Sequence, residues 1–369
     1  MAADDPELRE RLRLALIPGI GPRLRLALLE AFGTPSAALA ASPEQLRQVP
    51  GIGRKLSEAI GAAGQIPVDD TLAVCGQHGV TLLTDADADY PRLLAETHTP
   101  PGVLFVRGQL LPQDSIAVAI VGTRHATQYG LRQAERLAGG LARAGFTVIS
   151  GLARGIDAAA HRGALAAGGR TIAVLGSGVL NIYPPEHEPL AEQVAGQGAV
   201  ISETPPLAPP QSGVFPQRNR IISGLTLGTV VVEAAIRSGA LITARHAMEQ
   251  GREVFAVPGQ VDNRMAQGCH RLLRDGARLV ESVQDILDEL GPLVEPAIKP
   301  DGDIVRHPAE LLLNDTEQKI LQAIDASTTS IDQVVSASGL PIQQVLSTLS
   351  VLEMRRLVRR LSGNTVQRV

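Results

Sequence analysis

The sequence predicts an α/β protein built around a doubly wound parallel sheet, with a small all-α domain before it and a winged-helix domain after it. Between about residues 70 and 290, short apolar runs alternate with Ala- and Leu-rich helical stretches. Several runs are continuously apolar, as expected for parallel strands that helices cover on both faces. The ligand of such a sheet is expected at the carboxyl ends of its strands. The strand candidates are 80–83, 103–106, 116–121, 147–150, 171–175, 199–201, 229–232, 253–257 and 277–280.

The segments on either side of the sheet show helical periodicity. Residues 9–65 predict a bundle of short helices, and three helical segments from Asp315 onward precede a terminal hairpin, which is typical of a winged helix-turn-helix. Four prolines and mixed charge in 291–308 indicate a linker. The predicted domains are therefore a helical domain (1–68), an α/β domain (69–290), a linker (291–308) and a winged-helix domain (309–369).

Composition narrows the class of protein. No run of eighteen apolar residues predicts a membrane span, and the acidic N-terminus lacks a signal-peptide core, so we expect a cytoplasmic protein. Cys75 and Cys269 have no metal-ligand spacing and are interpreted as reduced thiols. Neither a P-loop nor a dinucleotide fingerprint follows a first strand. We therefore predict no metal and no cofactor.

The net charge of −4 hides an uneven distribution. Ten acidic residues stand against Lys299 and Arg306 between Glu281 and Glu317, whereas eight arginines stand against four acidic residues between Val214 and Arg274. Arginine suits bidentate contacts with phosphate. The second segment therefore favours a polyanionic ligand for the α/β domain.

A repeated glycine motif marks the helical domain. Ile17-Pro-Gly-Ile-Gly21-Pro-Arg23 recurs as Val49-Pro-Gly-Ile-Gly53-Arg-Lys55, which is the pattern of a helix-hairpin-helix. Such turns let a backbone approach phosphate while the next helix offers N–H donors. A compact module that contacts a protein or covers another domain remains the alternative. The secondary DNA-binding candidates are Gly19, Gly21, Arg23, Gly51, Gly53, Arg54 and Lys55.

Two strand ends in the α/β domain carry glycine and arginine together. One strand runs into Gly122-Thr123-Arg124, and another into Ser150-Gly-Leu-Ala-Arg154-Gly155-Ile-Asp157. A strand that turns at once into a helix leaves N–H groups unpaired, and these attract an anion. We therefore predict a site for a ligand with several phosphates.

A third basic cluster, Arg218-Asn219-Arg220, follows Phe215-Pro-Gln. It suits phosphate oxygens, but an internal ion pair with Glu203 or Glu233 is a competing interpretation because an unpaired buried carboxylate is costly. Asp157 and His161, four residues apart on a helix, could bind a metal. We favour local hydrogen bonding for both side chains, because no third ligand suggests itself.

These motifs together resemble the DNA-processing protein A family (DprA, also called Smf). The matching segments are Val121-Gly-Thr-Arg124, Ser150 to His161, Ala173-Val-Leu-Gly-Ser-Gly178, Tyr183-Pro184, Phe215 to Gly224, Ser238 to Ala244 and Val257-Pro-Gly-Gln260. The resemblance implies an extended Rossmann-like domain that binds single-stranded DNA and dimerises. It also implies protection of incoming strands and loading of the RecA recombinase in natural transformation, without an enzymatic activity.

By motif, the resemblance assigns phosphate binding to ten residues: Gly122, Thr123, Arg124, Ser150, Gly151, Arg154, Gly155, Arg218, Asn219 and Arg220.

The sequence departs from the family pattern at two positions. His270 and His187 stand where the family usually has asparagine, which leaves the local hydrogen bonds open. With no Trp and few Phe or Tyr, base stacking is expected to be minor.

The alternative function is a nucleotide-processing enzyme resembling a phosphoribohydrolase.

Overall fold

A computed structural model describes residues 5–211, 213–291, 297–298, 304–305, 313, 315–324, 328–354, 357–361 and 365–368. Its architecture confirms the predicted fold class: helices, then a large mixed sheet with helices on both faces, then a small helix-and-hairpin domain. Within the described residues no single helix is long and apolar enough to cross a membrane.

Six helices precede the first strand, and their starts follow local capping chemistry. The Asp5 side chain accepts the Glu7 N–H at the first helix, and Ser42 and Gln45 form a reciprocal capping box at the fourth. Their apolar faces close a separate core around Leu14, Leu28 and Ile60. The helices are α1 (Pro6–Leu16), α2 (Pro22–Phe32), α3 (Pro35–Ala40), α4 (Pro43–Leu46), α5 (Arg54–Gly61) and α6 (Val68–Gln77).

The two glycine turns of this domain mirror each other. Gly19 and Gly51 both have a φ of +88°, a conformation that favours glycine. A Cβ at Gly19 would lie 2.9 Å from a methyl of Leu56, and a Cβ at Gly51 would lie 2.8 Å from a methyl of Leu24. Each turn therefore packs against the helix that follows the other turn, as a tandem pair of hairpins requires.

The large sheet has nine strands in the order β1-β2-β6-β5-β4-β3-β7-β8-β9. Strands β3 to β9 are mutually parallel where they pair, and β2 runs antiparallel to both β1 and β6. Every predicted strand is present with small shifts at its ends. The strands are β1 (Thr81–Thr84), β2 (Val103–Gly108), β3 (Ala117–Val121), β4 (Thr147–Ser150), β5 (Thr171–Val174), β6 (Ala199–Ser202), β7 (Gly228–Val231), β8 (Glu253–Ala256) and β9 (Arg278–Leu279).

Helices on both faces bury the central parallel strands β3 to β7, whereas β9 at the sheet edge is exposed. Residues of β3 and β4 alternate between two apolar cores, so Val118 and Ile120 face one and Ala119 and Ile149 the other. This explains why β3 is apolar without interruption and why Val148 and Ile149 at the centre of β4 are apolar as well. The helices are α7 (Arg92–Ala95), α8 (Gln128–Arg143), α9 (Ile156–Ala166), α10 (Glu188–Gln197), α11 (Val214–Gly224), α12 (Ala240–Glu249), α13 (Gln267–Arg274) and α14 (Val283–Leu290).

The helical domain is fastened to the α/β domain by buried contacts. Arg25 of α2 is 5% exposed, pairs with Asp85 at 2.8 Å and donates to the Pro100 carbonyl. Arg11 of α1 pairs with the same carboxylate at 3.0 Å. Leu12 of α1 packs into the core beside Phe105 of β2. The helical domain therefore covers part of the α/β domain, which agrees with the alternative interpretation of the repeated glycine motif as part of a covering module.

The last domain has three helices and a three-stranded sheet in the order β12-β14-β13. Most of the predicted linker and the predicted turn at 362–364 lie outside the described residues. The described elements of this domain are α15 (Asp315–Gln322), β12 (Thr329–Ser330), α16 (Ile331–Ser338), α17 (Ile342–Met354), β13 (Val358–Leu361) and β14 (Thr365–Arg368). Within the predicted linker, β10 (Ala297–Ile298) and β11 (Ile304–Val305) form a separate antiparallel pair.

Candidate nucleic-acid interface

The predicted site lies where the strand order reverses. Strand β3 has β4 on one side and β7 on the other, so the loops after these strands open a crevice at their carboxyl ends. The loop after β3 carries Gly122 to Arg124, and the loop after β4 carries Gly151 to Gly155. The Ile156 N–H donates to the Thr123 carbonyl at 3.2 Å, which joins the two loops.

Several N–H groups of these loops already have partners within the protein. Asp157 is 6% exposed, and its carboxylate accepts backbone hydrogen bonds from Gly151, at 3.1 Å, and from Gly122 and Ala153. The Thr123 N–H donates to the Glu233 carbonyl at 2.7 Å. An internal carboxylate therefore occupies part of the predicted backbone cradle, and anion binding by the remaining N–H groups stays a prediction.

Arg218 lies beneath the same loop. Its guanidinium is buried and donates from Nη1 to the Gly151 carbonyl at 2.8 Å and to the Val174 carbonyl. Burial lowers its pKa to about 10, and the nearby Asp157 opposes that shift. A Cβ at position 151 would come within 2.5 Å of this guanidinium, so a larger residue there would displace Arg218. Arg218 therefore supports the loop from inside.

The backbone of the loop after β4 is strained at one residue. Leu152 has a φ of +55° although it carries a branched side chain, and that side chain is completely buried. Such a residue costs about 1–3 kcal/mol and persists only where its surroundings hold it. Here the Leu152 carbonyl meets His187 Nδ1 at 2.8 Å, and the neighbouring Gly151 is held by Asp157. The loop is therefore a rigid support for what projects from it.

Four side chains form the outer surface of the crevice, and we call them the rim: Arg124, Arg154, Tyr183 and Phe215. The Arg124 guanidinium lies 5.4 Å from the centre of the Phe215 ring, in a cation–π arrangement. The Tyr183 and Phe215 rings are 5.7 Å apart and inclined at 46°. A shallow pocket between these residues reaches down to Arg218. The rim therefore combines two cations with two aromatic faces.

The aromatic part of the rim was missed by reasoning from composition. The chain has only five Phe and three Tyr, which suggested little base stacking. The fold nevertheless brings Tyr183 and Phe215 together beside Arg124. The signal was present in the sequence, since both residues stand in quoted family motifs, but their separation along the chain hides the contact.

Arg154 shares the rim with an acidic neighbour. Its side chain is 50% exposed and pairs with Glu186, which is equally exposed. The hydrogen bond from Arg154 lowers the pKa of Glu186 and keeps the carboxylate charged. A phosphate that approaches Arg154 therefore competes with this carboxylate.

Replacing Glu186 by glutamine is expected to strengthen binding of a single-stranded oligonucleotide by about three- to tenfold at low salt, because Arg154 loses its competitor. Fluorescence anisotropy measures the dissociation constant. Glu188→Gln changes the net charge equally at an exposed position two residues away and serves as the control. Equal gains in both variants would indicate a general charge effect and contradict a specific role for the Arg154–Glu186 pair.

Most other predicted site residues lie inside the fold. Ser150 is fully buried, and its hydroxyl donates to the Ile120 carbonyl at 2.6 Å. Thr123 is 8% exposed, and Gly155 takes a φ of +76° where a Cβ would meet the Thr123 carbonyl at 2.3 Å. Asn219 donates to the Gly239 carbonyl at 3.2 Å. These residues shape the loops, while Arg124 and Arg154 are the predicted cations that reach the surface of the rim.

The competing interpretation of the third basic cluster is correct for one of its arginines. Arg220 pairs with Glu203 and lines a different groove from Arg218. Glu233 accepts instead from the N–H and hydroxyl of Thr127, at 2.9 and 2.6 Å, and so stabilises the start of α8. Arg220 is therefore separate from the rim.

His161 and His270 have local hydrogen-bond partners, and both cysteines are buried. His161 Nδ1 lies 2.7 Å from the Thr171 hydroxyl, and burial lowers the pKa of His161 to about 3, so the ring is neutral. His270 Nε2 lies 3.0 Å from the Gly259 carbonyl. Burial raises the pKa of Cys75 to about 11 and that of Cys269 to about 12, so both are inert thiols.

The two hairpin turns of the helical domain occupy different surroundings. Gly19, Gly21 and Arg23 border a groove against α11 and α12. Gly51, Gly53 and Lys55 are exposed, and Arg54 pairs with Glu58 at 2.8 Å on the same surface.

A doubly wound α/β domain with a cationic, aromatic rim at its switch point, flanked by tandem helix-hairpin-helix and winged-helix domains, defines the class of nucleic-acid-binding proteins with a Rossmann-like core. Comparison with known proteins gives the family. Residues 81–291 match the DNA recombination-mediator protein A model, residues 304–364 the DprA winged helix domain, and residues 12–61 the SAM-like helix-hairpin-helix tandem. The chain belongs to the DNA-processing protein A (DprA/Smf) family.

Individual relatives agree along most of the chain. Protein Smf of Synechocystis is 38% identical over 95% of this chain and 96% of its own length. The crystal structure of DNA processing protein A from Streptococcus pneumoniae superposes with a TM-score of 0.67 at 35% identity, covering 76% of this chain and 97% of that one. The Helicobacter pylori protein, whose structure concerns its single-stranded DNA binding mode, gives 0.53 at 27% identity over 58% and 97%.

Proposed function

We propose that this protein binds single-stranded DNA at the rim, protects strands that enter the cell in natural transformation and loads the RecA recombinase on them. The observation that carries the proposal is the joint placement of Arg124 and Arg154 with Tyr183 and Phe215 on a rigid crevice. Arginines bind successive phosphates, and aromatic faces accept unstacked bases of any sequence. Duplex DNA keeps its bases stacked and cannot use the aromatic half of this surface.

The mechanism is binding without bond breaking. Asp157 and Arg218 hold the loop after β4 in place, and the exposed arginines meet the strand. Among the described residues, Glu186 is the carboxylate that pairs with a rim arginine, and its pKa is lowered, so it is a poor proton donor at neutral pH. This favours a binder over the phosphoribohydrolase-like enzyme, which needs a free carboxylate beside the scissile bond.

Anisotropy titrations of the full chain with single-stranded and duplex oligonucleotides, over a series of salt concentrations, test the proposal. With about five phosphates engaged at about −0.7 per contact, a fourfold rise in salt is expected to weaken single-strand binding by about a hundredfold. Single strands should bind more tightly than duplexes at every salt concentration. A slope near zero, or release of free base from nucleotides, would contradict the proposal and favour the enzyme.

We place the second copy of the predicted homodimer on a groove at α12 and α13. Ile236 and Met248 are 54% and 53% exposed there, beside a cavity of about 380 Å³. Arg237, Arg245 and Asp275 surround this apolar centre. A surface with both charges around an apolar centre can pair with itself across a two-fold axis. Two rims in one dimer would then hold one strand with avidity.

Replacing Ile236 and Met248 together by aspartate is expected to weaken dimerisation at least tenfold, because two charges enter an apolar contact. Sedimentation or light scattering at micromolar protein measures the mass. Val261→Asp is the control, since Val261 is 86% exposed and does not line the groove. A double variant that stays dimeric would show that the interface lies elsewhere.

For the winged-helix domain we favour a protein partner. Helix α17 contains no Lys or Arg and exposes Ile342 and Leu346, at 51% and 37%. A helix that reads DNA needs groups that meet phosphates and base edges. The surface of α17, which lacks basic residues and exposes two apolar side chains, suits contact with a protein such as the recombinase.

A further inference from the structure

A deep groove separates the first hairpin turn from the α/β domain. Its cavity is about 1050 Å³, larger than most small-molecule sites. The helical domain contributes Gly21 and Arg23 to one wall, and α11 and α12 contribute Gln217, Arg220 and His246 to the other. Arg23 and Gln217 are both exposed to the groove. The proposed function of the rim does not use this groove.

The wall formed by α2 attracts anions. Helix α2 has eleven residues, begins after Gly21 without a side-chain cap, and has no acidic residue in its first turn. The helix dipole and the uncapped N–H groups at this end therefore favour an anion in the groove, and the Arg23 guanidinium lies beside them.

The opposite wall holds an arginine that is incompletely paired. Arg220 is 8% exposed, and its Nη2 donates to Glu203. Within the described part of the chain, its buried Nη1 has no hydrogen-bond partner. A buried donor without a partner is rare in folded proteins and points to a missing acceptor. Of the carboxylates near the groove, Glu203 is paired with Arg220, and Glu249 lies 3.4 Å from His246 Nδ1.

Helix α11 connects this groove to the rim. Phe215 and Arg218 face the rim pocket, whereas Pro216, Gln217 and Arg220 line the groove. A strand that leaves the rim beside Phe215 therefore needs to cross only one helix to reach the α2 terminus. The two sites can hold consecutive parts of one polyanion.

We propose that the groove between α2 and α11 binds phosphates of the same single strand that the rim holds, so that the first helix-hairpin-helix and the α/β domain form one extended binding track. This inference rests on the proposed function of the rim. The first hairpin should also prefer single strands to duplexes. A duplex would have to approach the hairpin turn, and the α/β domain forms the wall opposite that turn.

The test compares a short oligonucleotide of about 6 nucleotides with a long one of about 20, a range that brackets common single-strand site sizes. The full-length protein carries Arg23→Glu, Gln217→Glu or the control Arg47→Glu. Arg47 is an exposed arginine of the helical domain outside the groove, so it matches the charge change of Arg23. Binding of a duplex of equal length is measured alongside.

Arg23→Glu and Gln217→Glu are each expected to weaken binding of the long strand about fivefold and to leave the short strand unchanged. Arg23→Glu should also make the salt slope for the long strand shallower by about 0.7, the contribution of one phosphate. Three results would overturn the inference: an affinity loss no larger than that of Arg47→Glu, an equal affinity loss for the short and the long strand, or an affinity loss confined to the duplex. Failure of the wild-type protein to bind the short strand would instead refute the function proposed for the rim.

Discussion

Replacing Arg124 by alanine is expected to weaken single-strand binding about ten- to a hundredfold. Arg124 is exposed at the centre of the rim, and no carboxylate of the described residues forms an ion pair with it. A charge-assisted hydrogen bond to phosphate contributes about 1.5–3 kcal/mol. Anisotropy with several oligonucleotide sequences measures the loss, which should be the same for all of them because a phosphate contact carries no sequence information.

Arg143→Ala is the control for this variant. Arg143 is an exposed arginine at the last turn of α8, far from the helix start beside the rim. Its removal changes net charge equally and is expected to alter the dissociation constant less than twofold. A loss in Arg124→Ala that is confined to some sequences would mean that Arg124 reads bases, and a loss equal to that of the control would remove it from the site.

Replacing Phe215 by alanine is expected to weaken binding about five- to fiftyfold. Stacking of one base on an aromatic ring contributes about 1–3 kcal/mol, and Phe215 also supports Arg124 from below. Because the two side chains touch, the double variant with Arg124→Ala should lose less than the product of the two single losses. The titrations described for Arg124 measure all three constants.

Phe215→Tyr retains the ring and is expected to bind within about twofold of the wild-type protein. Phe215 is only partly buried, so thermal unfolding of Phe215→Ala should begin at nearly the wild-type temperature, which separates lost binding from lost folding. If Phe215→Ala binds normally, the strand is held by charge alone and the aromatic half of the rim has no function.

The sequence predicted the framework of this protein because apolar patterning is a local signal. The buried strand β3 is a continuous apolar run, and β4 and β7 have apolar centres, as expected for a parallel sheet covered on both faces. The glycine turns at Gly19 and Gly51 were visible as a repeat. The carboxyl-end location of the site followed from general properties of doubly wound sheets.

The details of the site depend on contacts between distant segments. A glycine-rich loop before a helix looks open to an anion, but Asp157, six residues after Gly151, folds back and takes its N–H group. Arg218 and Arg220 are two residues apart on α11, so they point to different surfaces, one to the loop and one to the groove. No local pattern shows which of two neighbouring arginines meets a ligand.

The same limit explains the aromatic residues. Tyr183 follows β5, Phe215 lies on α11 and Arg124 follows β3, yet the three meet at one edge of the sheet. Composition counted eight Phe and Tyr residues among 369 and gave no sign that two of them meet beside an arginine. Scarcity along a chain does not prevent concentration in space.

Photochemical cross-linking from position 215 tests the central claim most directly. A benzophenone side chain in place of Phe215 should cross-link a bound single-stranded oligonucleotide, and the same group in place of Arg143 should not. Unlabelled single strand should suppress the cross-link, and Arg124→Ala should reduce it in proportion to lost affinity. Cross-linking that is equal at both positions, or absent from position 215 while the strand is bound, would contradict a binding site on the rim.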